Sequence, residues 1–561
     1  MRGRWTFDPA RRWRGGRREL IWHGRHAPED GDFCIAEVPD EGPALLVEVL
    51  GAEDRPEWDD PTIVSEFRLS TRFPRAAEAE AAAFHPPGAA ERRGRVDLRE
   101  QVTFTIDPED ARDHDDALSV RPLGHDRWEV GIHIADVSHY VVAGSALDRE
   151  AERRGTSVYL PGGVVPMLPE RLSADLCSLR PDEDRLALSV TVALDAHGVL
   201  HGCRFEETMI RSRQRLHYGQ VQEALDGHAR LPAEIQHPVE RLMTLARALR
   251  ARRRAVGALD LEVPEVKAWV DDRGRTIRLE RRPHLESHEL IEEFMLLANR
   301  CVGGEGAKRR SGLLYRIHEP PSARKLSELD QMLKTLGLPR PGHLADPARA
   351  LQSVLKAPLD PARRRLVHRL VLRTLMRAQY LDRDSGHFGL ATREYCHFTS
   401  PIRRYPDLHN HRRVREWIRG RPSEAWDPHV LEGLAQRCTA AEQIATEAER
   451  EAVKIKSMRV LEGRLGEEAS GIITGFVPRG FFVELDDDPA EGFVKVAEYL
   501  DDHFLLDPTG VRMTGRHTRR RFTLGDAVRV IIARVDVAAR ECDLALWVPE
   551  RRRGRRHRGR G

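Results

Sequence analysis

The hydrophobic pattern along this chain changes character three times. Residues 31–50, "GDFCIAEVPDEGPALLVEVL", hold two β-rich runs on either side of a turn-forming "PDEGP". They predict part of a small barrel ending near "STRFP". The Ala/Glu-rich "PRAAEAEAAAF" predicts a helix and "HPPGAAERRGR" a linker. From "VDLREQVTFTIDP" to about Arg459 no comparable break occurs, so this stretch is expected to form one large α/β domain. Its early part alternates strand-like runs such as "RWEVGIHIADVSHYV" and "RLALSVTVALD". Its later part spaces apolar residues helically, as in "HELIEEFMLLANRCV" and "ARRRLVHRLVLRTLMRAQYL". Residues 466–547 return to short strands punctuated by Gly, Pro and Asp, the pattern of a closed five-stranded barrel.

Composition sets bounds on this picture. The 561 residues exceed one ordinary core, and 32% charged with 40% hydrophobic residues describe a folded, water-soluble chain. The net charge of +2 conceals basic ends, "MRGRWTFDPARRWRGGRR" and "RRRGRRHRGRG". Such tails either solubilise or hold a polyanion through counterion release. Seven cysteines, scattered and never in a CxxC pair, argue against a disulfide framework or zinc ribbon and for a reducing compartment. No run reaches the apolar length of a membrane span or signal peptide, so the expected location is cytoplasmic, with no membrane partner.

The strongest chemical signal is "DPEDARDHDDALSV", with six acidic residues in positions 107–116. Asp107, Asp113, Asp115 and Asp116 lie between the strand-like "VTFTI" and "ALSV", so a loop crowds like charges at the edge of a buried run. Burial of such charges requires compensation. An EF-hand starting at Asp113 would need Gly at 118 and Glu at 124, where the chain has Leu118 and Gly124. Two readings remain open from spacing alone: a solvated acidic loop, or hard oxygen ligands for Mg²⁺ or Mn²⁺ acting on phosphate.

"TIDPEDARDHDDALSV" is followed in order by "TSVYLPGGVVPMLPERLSADLCSLRP", "GALDLEVPE", "LIEEFMLLAN", "LYRIHEPP", "HFGL" and "FTSPIRRYPDLHNHR". This series resembles the catalytic domain of the ribonuclease II/ribonuclease R (RNB) family over residues 95–460, and the segment after it resembles an S1-type RNA-binding domain. The resemblance implies a multidomain α+β fold. Its parts are a basic extension (1–30), a partial cold-shock/OB-like barrel (31–75), a helix and linker (76–94), the RNB domain (95–460), an S1-type OB barrel (466–547) and a basic tail (548–561). It implies a monomer that hydrolyses single-stranded RNA processively from a free 3′ end to nucleoside 5′-monophosphates, with Mg²⁺, or Mn²⁺, as cofactor.

Carried over by position, Asp107, Asp113, Asp115 and Asp116 form the metal site, with Asp116 the aspartate needed for chemistry more than for binding. Tyr159 of "VYLPG" packs at the 3′-terminal nucleotide, or is an ordinary half-buried strand aromatic. Arg403 of "SPIRRY" holds the scissile phosphate, for which a guanidinium fork is suited, while Arg404 reads as a solvated neighbour. Tyr218 and Glu449 match positions lining the RNA channel, and Glu292 or Glu293 is a further candidate near the terminal ribose; all four are equally compatible with a core aromatic and helix-surface charges. Arg213 and Arg215 add cations nearby. In the C-terminal barrel, Phe476, Phe481, Phe482, His503 and Phe504 are candidates for stacking on RNA. Since Phe481 and Phe482 point to opposite faces, one should be core and the other exposed.

Relatives in this family carry two cold-shock-type barrels before the catalytic domain. Here residues 31–73 resemble a shortened second barrel, with no counterpart of the first, and the region "DDHFLLDPTGVRMTGRHTRRRFTLGD" with the basic tail is closer to the ribonuclease R branch. Two rival readings follow: a non-catalytic RNA-binding scaffold, which would have lost one or more of the four aspartates, and a phosphorolytic exonuclease, which would depend on phosphate.

Overall fold

In the computed structural model, which describes residues 5–7, 18–22, 28–29, 31–39, 41–52, 55–261, 265–341, 346–421 and 427–547, the strand-like runs of the large domain assemble into one seven-stranded sheet. Its order is Gln214–His217, Phe104–Asp107, Asp116–Gly124, Arg127–Ala135, Asp184–Asp195, Leu200–Arg211 and Val96–Asp97. The inner neighbours pair antiparallel, and the strand at each edge adds in parallel.

Strand alternation sends Ile132 and Ile134 toward the helices Ala233–Ala255 and Glu286–Arg309, where Leu242, Phe294 and Leu297 complete one core. Ala117, Ala135 and Ala187 face a second core with Leu147, Leu172 and Leu408. Both faces are therefore covered, which is why "GIHIA" contains a buried polar residue at all. His133 is held between Ser119 (2.9 Å) and Ser189 (2.7 Å), and burial lowers its pKa to about 4, so the ring is neutral.

The C-terminal segment closes into a barrel ordered Glu468–Val477, Gly480–Leu485, Glu491–Lys495, Glu541–Leu546 and Ala527–Asp536. Gly480 is required where two strands approach, because a Cβ there would meet the Val494 carbonyl oxygen at 1.9 Å. The mixed multidomain class and the five-stranded closed barrel agree with the sequence reading.

The N-terminal part differs from expectation. Trp5–Phe7 and Arg18–Ile21 are strands, so residues 1–30 are not simply an extension. They join Asp32–Glu37 and Ala44–Ala52 in a four-stranded sheet of order 5–7, 18–21, 44–52, 32–37. The β structure stops at Ala52 instead of continuing to residue 75. The helix Asp59–Glu66 follows, its first turn carrying Asp59 and Asp60 where the helix dipole favours anions. Most of the basic N-terminal stretch and all of the tail 548–561 lie outside the described residues.

The helix Pro428–Glu462, 35 residues and therefore about 52 Å long, connects these parts. Its Lys456 is buried and donates to Asp59 Oδ2 (2.8 Å), the Pro56 carbonyl (3.2 Å) and the Gly274 carbonyl (2.7 Å). Arg540, on the turn before the last barrel strand, pairs with Glu66 of the N-terminal helix and Glu451 of the long helix. Among the described residues no helix is long and apolar enough to cross a membrane. The seven cysteines are free.

Candidate active site

The acidic loop is the connection between two neighbouring sheet strands. Asp107 ends Phe104–Asp107 and Asp116 begins Asp116–Gly124, with Phe104 opposite Leu118, so sheet pairing fixes both carboxylates. Between them Arg215 donates to the Glu109 carbonyl and Lys267 pairs with Asp110 at 2.6 Å, which pins the loop from outside. Arg213 lies 3.5 Å from Glu100, so of the two added cations only Arg215 touches this loop.

Each aspartate has a distinct environment. Asp113 Oδ2 accepts from the Tyr159 hydroxyl at 2.9 Å. Asp115 is buried. Its Oδ1 accepts from the Ile402 backbone N–H (2.9 Å), while Oδ2 has no hydrogen bond and lies 3.7 Å from Arg403 Nε. Burial pushes the Asp115 pKa well above the usual carboxylate range, an effect Arg403 partly offsets and Asp113 reinforces. The Asp116 pKa is raised to about 8, first by desolvation and then by the charge of Asp107, against the pull of Arg403. Asp107 Oδ2 is 2.8 Å from His114 Nδ1, a separation short enough for an ion pair but without hydrogen-bond alignment, so both atoms remain unsatisfied. The crowded carboxylates are thus short of positive charge.

The loop Thr399–Arg404 brings the arginines. Ser400 N–H and Arg404 Nη2 both donate to Asp407 Oδ1, at 2.8 and 2.7 Å. The Arg403 side chain is 43% exposed and turned to the aspartates, whereas that of Arg404 is only 18% exposed. Arg404 is therefore a half-buried anchor, not the solvated neighbour expected. Its fork is occupied by Asp407, which leaves Arg403 as the arginine open to an anion. Arginine's planar fork matters here, so Arg403→Lys should reduce kcat on short single-stranded RNA at least ~10-fold with little change in folding. Near-normal turnover would remove Arg403 from the site.

Tyr159 lies on the hairpin Val158–Leu160/Gly163–Val165, and its N–H donates to Glu449 Oε1 at 2.9 Å. The same hairpin is clamped to the arginine loop through Ser157 N–H to the Arg403 carbonyl (3.0 Å) and Thr156 Oγ1 to that carbonyl (2.9 Å). Burial raises the Glu449 pKa. Tyr218 follows His217, which pairs with Asp107 across the parallel edge, and its phenol pKa is raised by burial and then by Asp116 and Asp107. Asp107, Asp113, Asp115, Asp116, Tyr159, Tyr218, Arg403 and Glu449 therefore belong to one site.

The neighbouring glutamates separate. Glu293 is 4% exposed and held by Arg253 at 2.6 Å, so it is a buried structural ion pair. Glu292 is 52% exposed and lies 3.7 Å from His284, leaving it the channel candidate. On the C-terminal barrel, Phe481 is 0% exposed and is core, which excludes it from RNA contact. Phe476 and Phe504 pack against that core from its edge, His503 is exposed, and Phe482 is half-buried, short of the full exposure expected. Phe482 faces Phe493 across the strand pair, ring centroids 5.0 Å apart. The sequence reading missed Phe493, whose signal was its place two residues before Lys495 on the next alternating run.

Among the described residues, no three His, Cys, Asp or Glu side chains converge closely enough to enclose a metal ion. The four-ligand arrangement expected from the sequence is thus not preformed. A Mg²⁺ ion, however, commonly uses only one or two protein carboxylates, with water and substrate phosphate completing the octahedron. Asp107, with its unsatisfied oxygen, and Asp116, charge-strained by Asp107, fit that demand.

The sheet, the aspartate loop and the opposed arginine define a class. The RNB domain model matches residues 95–420 and the S1 RNA-binding domain model residues 463–546, and the chain belongs to the RNB family of ribonucleases. Within that family it is similar to Ribonuclease R: the protein of that name from Aquifex aeolicus (strain VF5) is 39% identical over 499 residues, 88% of this chain and 70% of that protein. The solved structure of Mycoplasma genitalium RNase R in complex with ribose-methylated single-stranded RNA superposes with a TM-score of 0.87 at 27% identity, covering 94% of this chain and 85% of that one. Yeast Ssd1, a pseudonuclease, shares the fold with a TM-score of 0.70 at 20% identity, covering 89% and 65% of the two chains. The fold alone therefore does not decide activity.

Proposed function

We propose that this 3′→5′ exoribonuclease, a monomer, hydrolyses single-stranded RNA processively from a free 3′ end and releases nucleoside 5′-monophosphates, dependent on Mg²⁺ or Mn²⁺. The observation that carries this reading is the apposition of Asp115 Oδ2 and Arg403 Nε at 3.7 Å beside Asp116 and Asp107. It sets a phosphate-binding cation against carboxylates that lack compensating charge. A scaffold without catalysis has no use for such an arrangement, and none of the four aspartates is missing.

Asp107 and Asp116 would hold the divalent ion, which supplies an activated water and charge neutralisation on the phosphate. The other roles fall to the chain itself. Arg403, whose Nη2 donates to Ser400 Oγ at 3.1 Å, grips the scissile phosphate with the donors that remain open. Asp115 fixes the arginine loop through Ile402 N–H and orients the Arg403 head. Tyr159, tethered to Asp113 and Glu449, packs at the terminal nucleotide, while Tyr218 and Glu292 contact the strand behind it. Phe482 and Phe493 on the S1 barrel offer a stacking surface that tolerates any base. Selection of RNA rests on backbone and 2′-hydroxyl contacts, not on sequence.

Incubation of 5′-labelled oligo-RNA with the purified protein should yield mononucleotides and a short limit product with Mg²⁺ or Mn²⁺, and intact RNA with chelator. Chromatography should show nucleoside monophosphates. Diphosphates formed only with added phosphate would establish phosphorolysis instead, and intact RNA under all conditions would leave the scaffold reading.

A further inference from the structure

Tyr218 opens the helix Tyr218–Leu225, and His288 sits in the first turn of Glu286–Arg309. Their rings stack, with centroids 4.0 Å apart and planes 19° from parallel. Among the described residues the Tyr218 hydroxyl has no hydrogen-bond partner to set its direction, so packing orients this ring. The two helix starts are laced together: Ser287 N–H donates to Gln222 Oε1 at 3.1 Å, and His217 and Gln220 cap the Tyr218 helix reciprocally.

His288 is itself fixed. Its Nδ1 accepts from Leu285 N–H at 3.1 Å, which places the ring proton of the neutral form on Nε2. Burial, then the charges of His284 and Arg282, lowers its pKa to about 4, so at neutral pH it presents an uncharged aromatic face. His284 stacks behind it at 5.8 Å and 24°. One face of Tyr218 is thus occupied by protein, and a base that stacks on this tyrosine must use the other.

We propose that His288 is a positioning residue for RNA: it holds the Tyr218 ring in the plane in which that ring meets a base of the substrate strand. The proposal rests on the reading above that Tyr218 contacts RNA. A purely structural histidine would matter only through its acceptor at the helix start. The two roles are separable by substitution, because His288→Phe keeps the ring and loses the acceptor, whereas His288→Asn keeps an acceptor and loses the ring.

The test measures KM and kcat on 5′-labelled single-stranded oligo-RNA with Mg²⁺ for the full chain, for His288→Phe, His288→Asn and Tyr218→Ala, and for the double variant Tyr218→Ala/His288→Asn, with thermal midpoints as a folding control. His288→Asn should raise KM about 2- to 12-fold, the scale of a lost aromatic pair, with a smaller change in kcat. His288→Phe should recover most of that loss, and in the Tyr218→Ala background His288→Asn should add nothing. A wild-type KM for His288→Asn, equal damage by Phe and Asn, or full additivity with Tyr218→Ala would overturn the role of His288 while leaving Tyr218 at the RNA. An unchanged KM for Tyr218→Ala would overturn the placement of Tyr218 itself, and the inference with it.

Discussion

Asp116→Asn should lower kcat on single-stranded RNA by ~10²–10³-fold, because a lost ligand forfeits several kcal/mol of transition-state stabilisation. The amide preserves volume, so the start of the strand Asp116–Gly124 keeps its shape. RNA affinity should stay the same or tighten slightly, since one negative charge facing a polyanion is removed. Asp115→Asn should cost a similar factor for a different reason. The amide oxygen can still accept from Ile402 N–H, but an amide nitrogen replaces the free oxygen opposite Arg403. Turnover by single-nucleotide release and equilibrium binding by fluorescence anisotropy separate the two quantities. If affinity falls in step with turnover for both variants, these carboxylates organise the RNA path and not the chemistry.

Much of this site was legible because strand alternation surrounds it. "VTFTI" and "ALSV" are apolar enough to mark two buried strands, so the acidic residues between them had to form the loop that joins them, and they do. What sequence could not assign was the direction of adjacent side chains on one element. Glu292 and Glu293 differ by about 100° around a helix, and only the presence of Arg253 on another helix makes Glu293 structural. Arg403 and Arg404 differ likewise through Asp407, which is fully buried and takes up one fork. Phe481 and Phe482 were separable in principle by the two-residue period, and the closed barrel decides which is inside.

The N-terminal sheet was illegible for another reason. Trp5–Phe7 and Arg18–Ile21 are three and four residues long, set among arginines, and too short for a period to emerge. They pair because longer strands from Asp32 to Ala52 present an edge. Long-range ion pairs are equally invisible along a chain: Asp59 and Lys456 stand 397 positions apart.

That pair carries the largest expected effect on stability. Asp59 is buried and accepts from the buried Lys456 at 2.8 Å and from Arg459, whose side chain is 7% exposed, at 2.9 Å. Asp59→Ala would strand Lys456 in a desolvated seam between the N-terminal helix and the long helix, with the Pro56 and Gly274 carbonyls left to it, and would take from Arg459 its carboxylate partner at 2.9 Å. Breaking a buried pair in this way costs about 3–5 kcal/mol, because the remaining charge is uncompensated. Lys456→Met should cost less, since it removes a buried charge along with its hydrogen bonds and leaves Asp59 paired with Arg459. Thermal unfolding followed by circular dichroism should therefore rank the proteins wild type, then Lys456→Met, then Asp59→Ala. With the active site intact, kcat at low temperature should stay within about twofold for both variants, as expected when stability is lost at a distance from the chemistry. An Asp59→Ala midpoint equal to wild type would mean that water already reaches this seam and that the ion pair is screened.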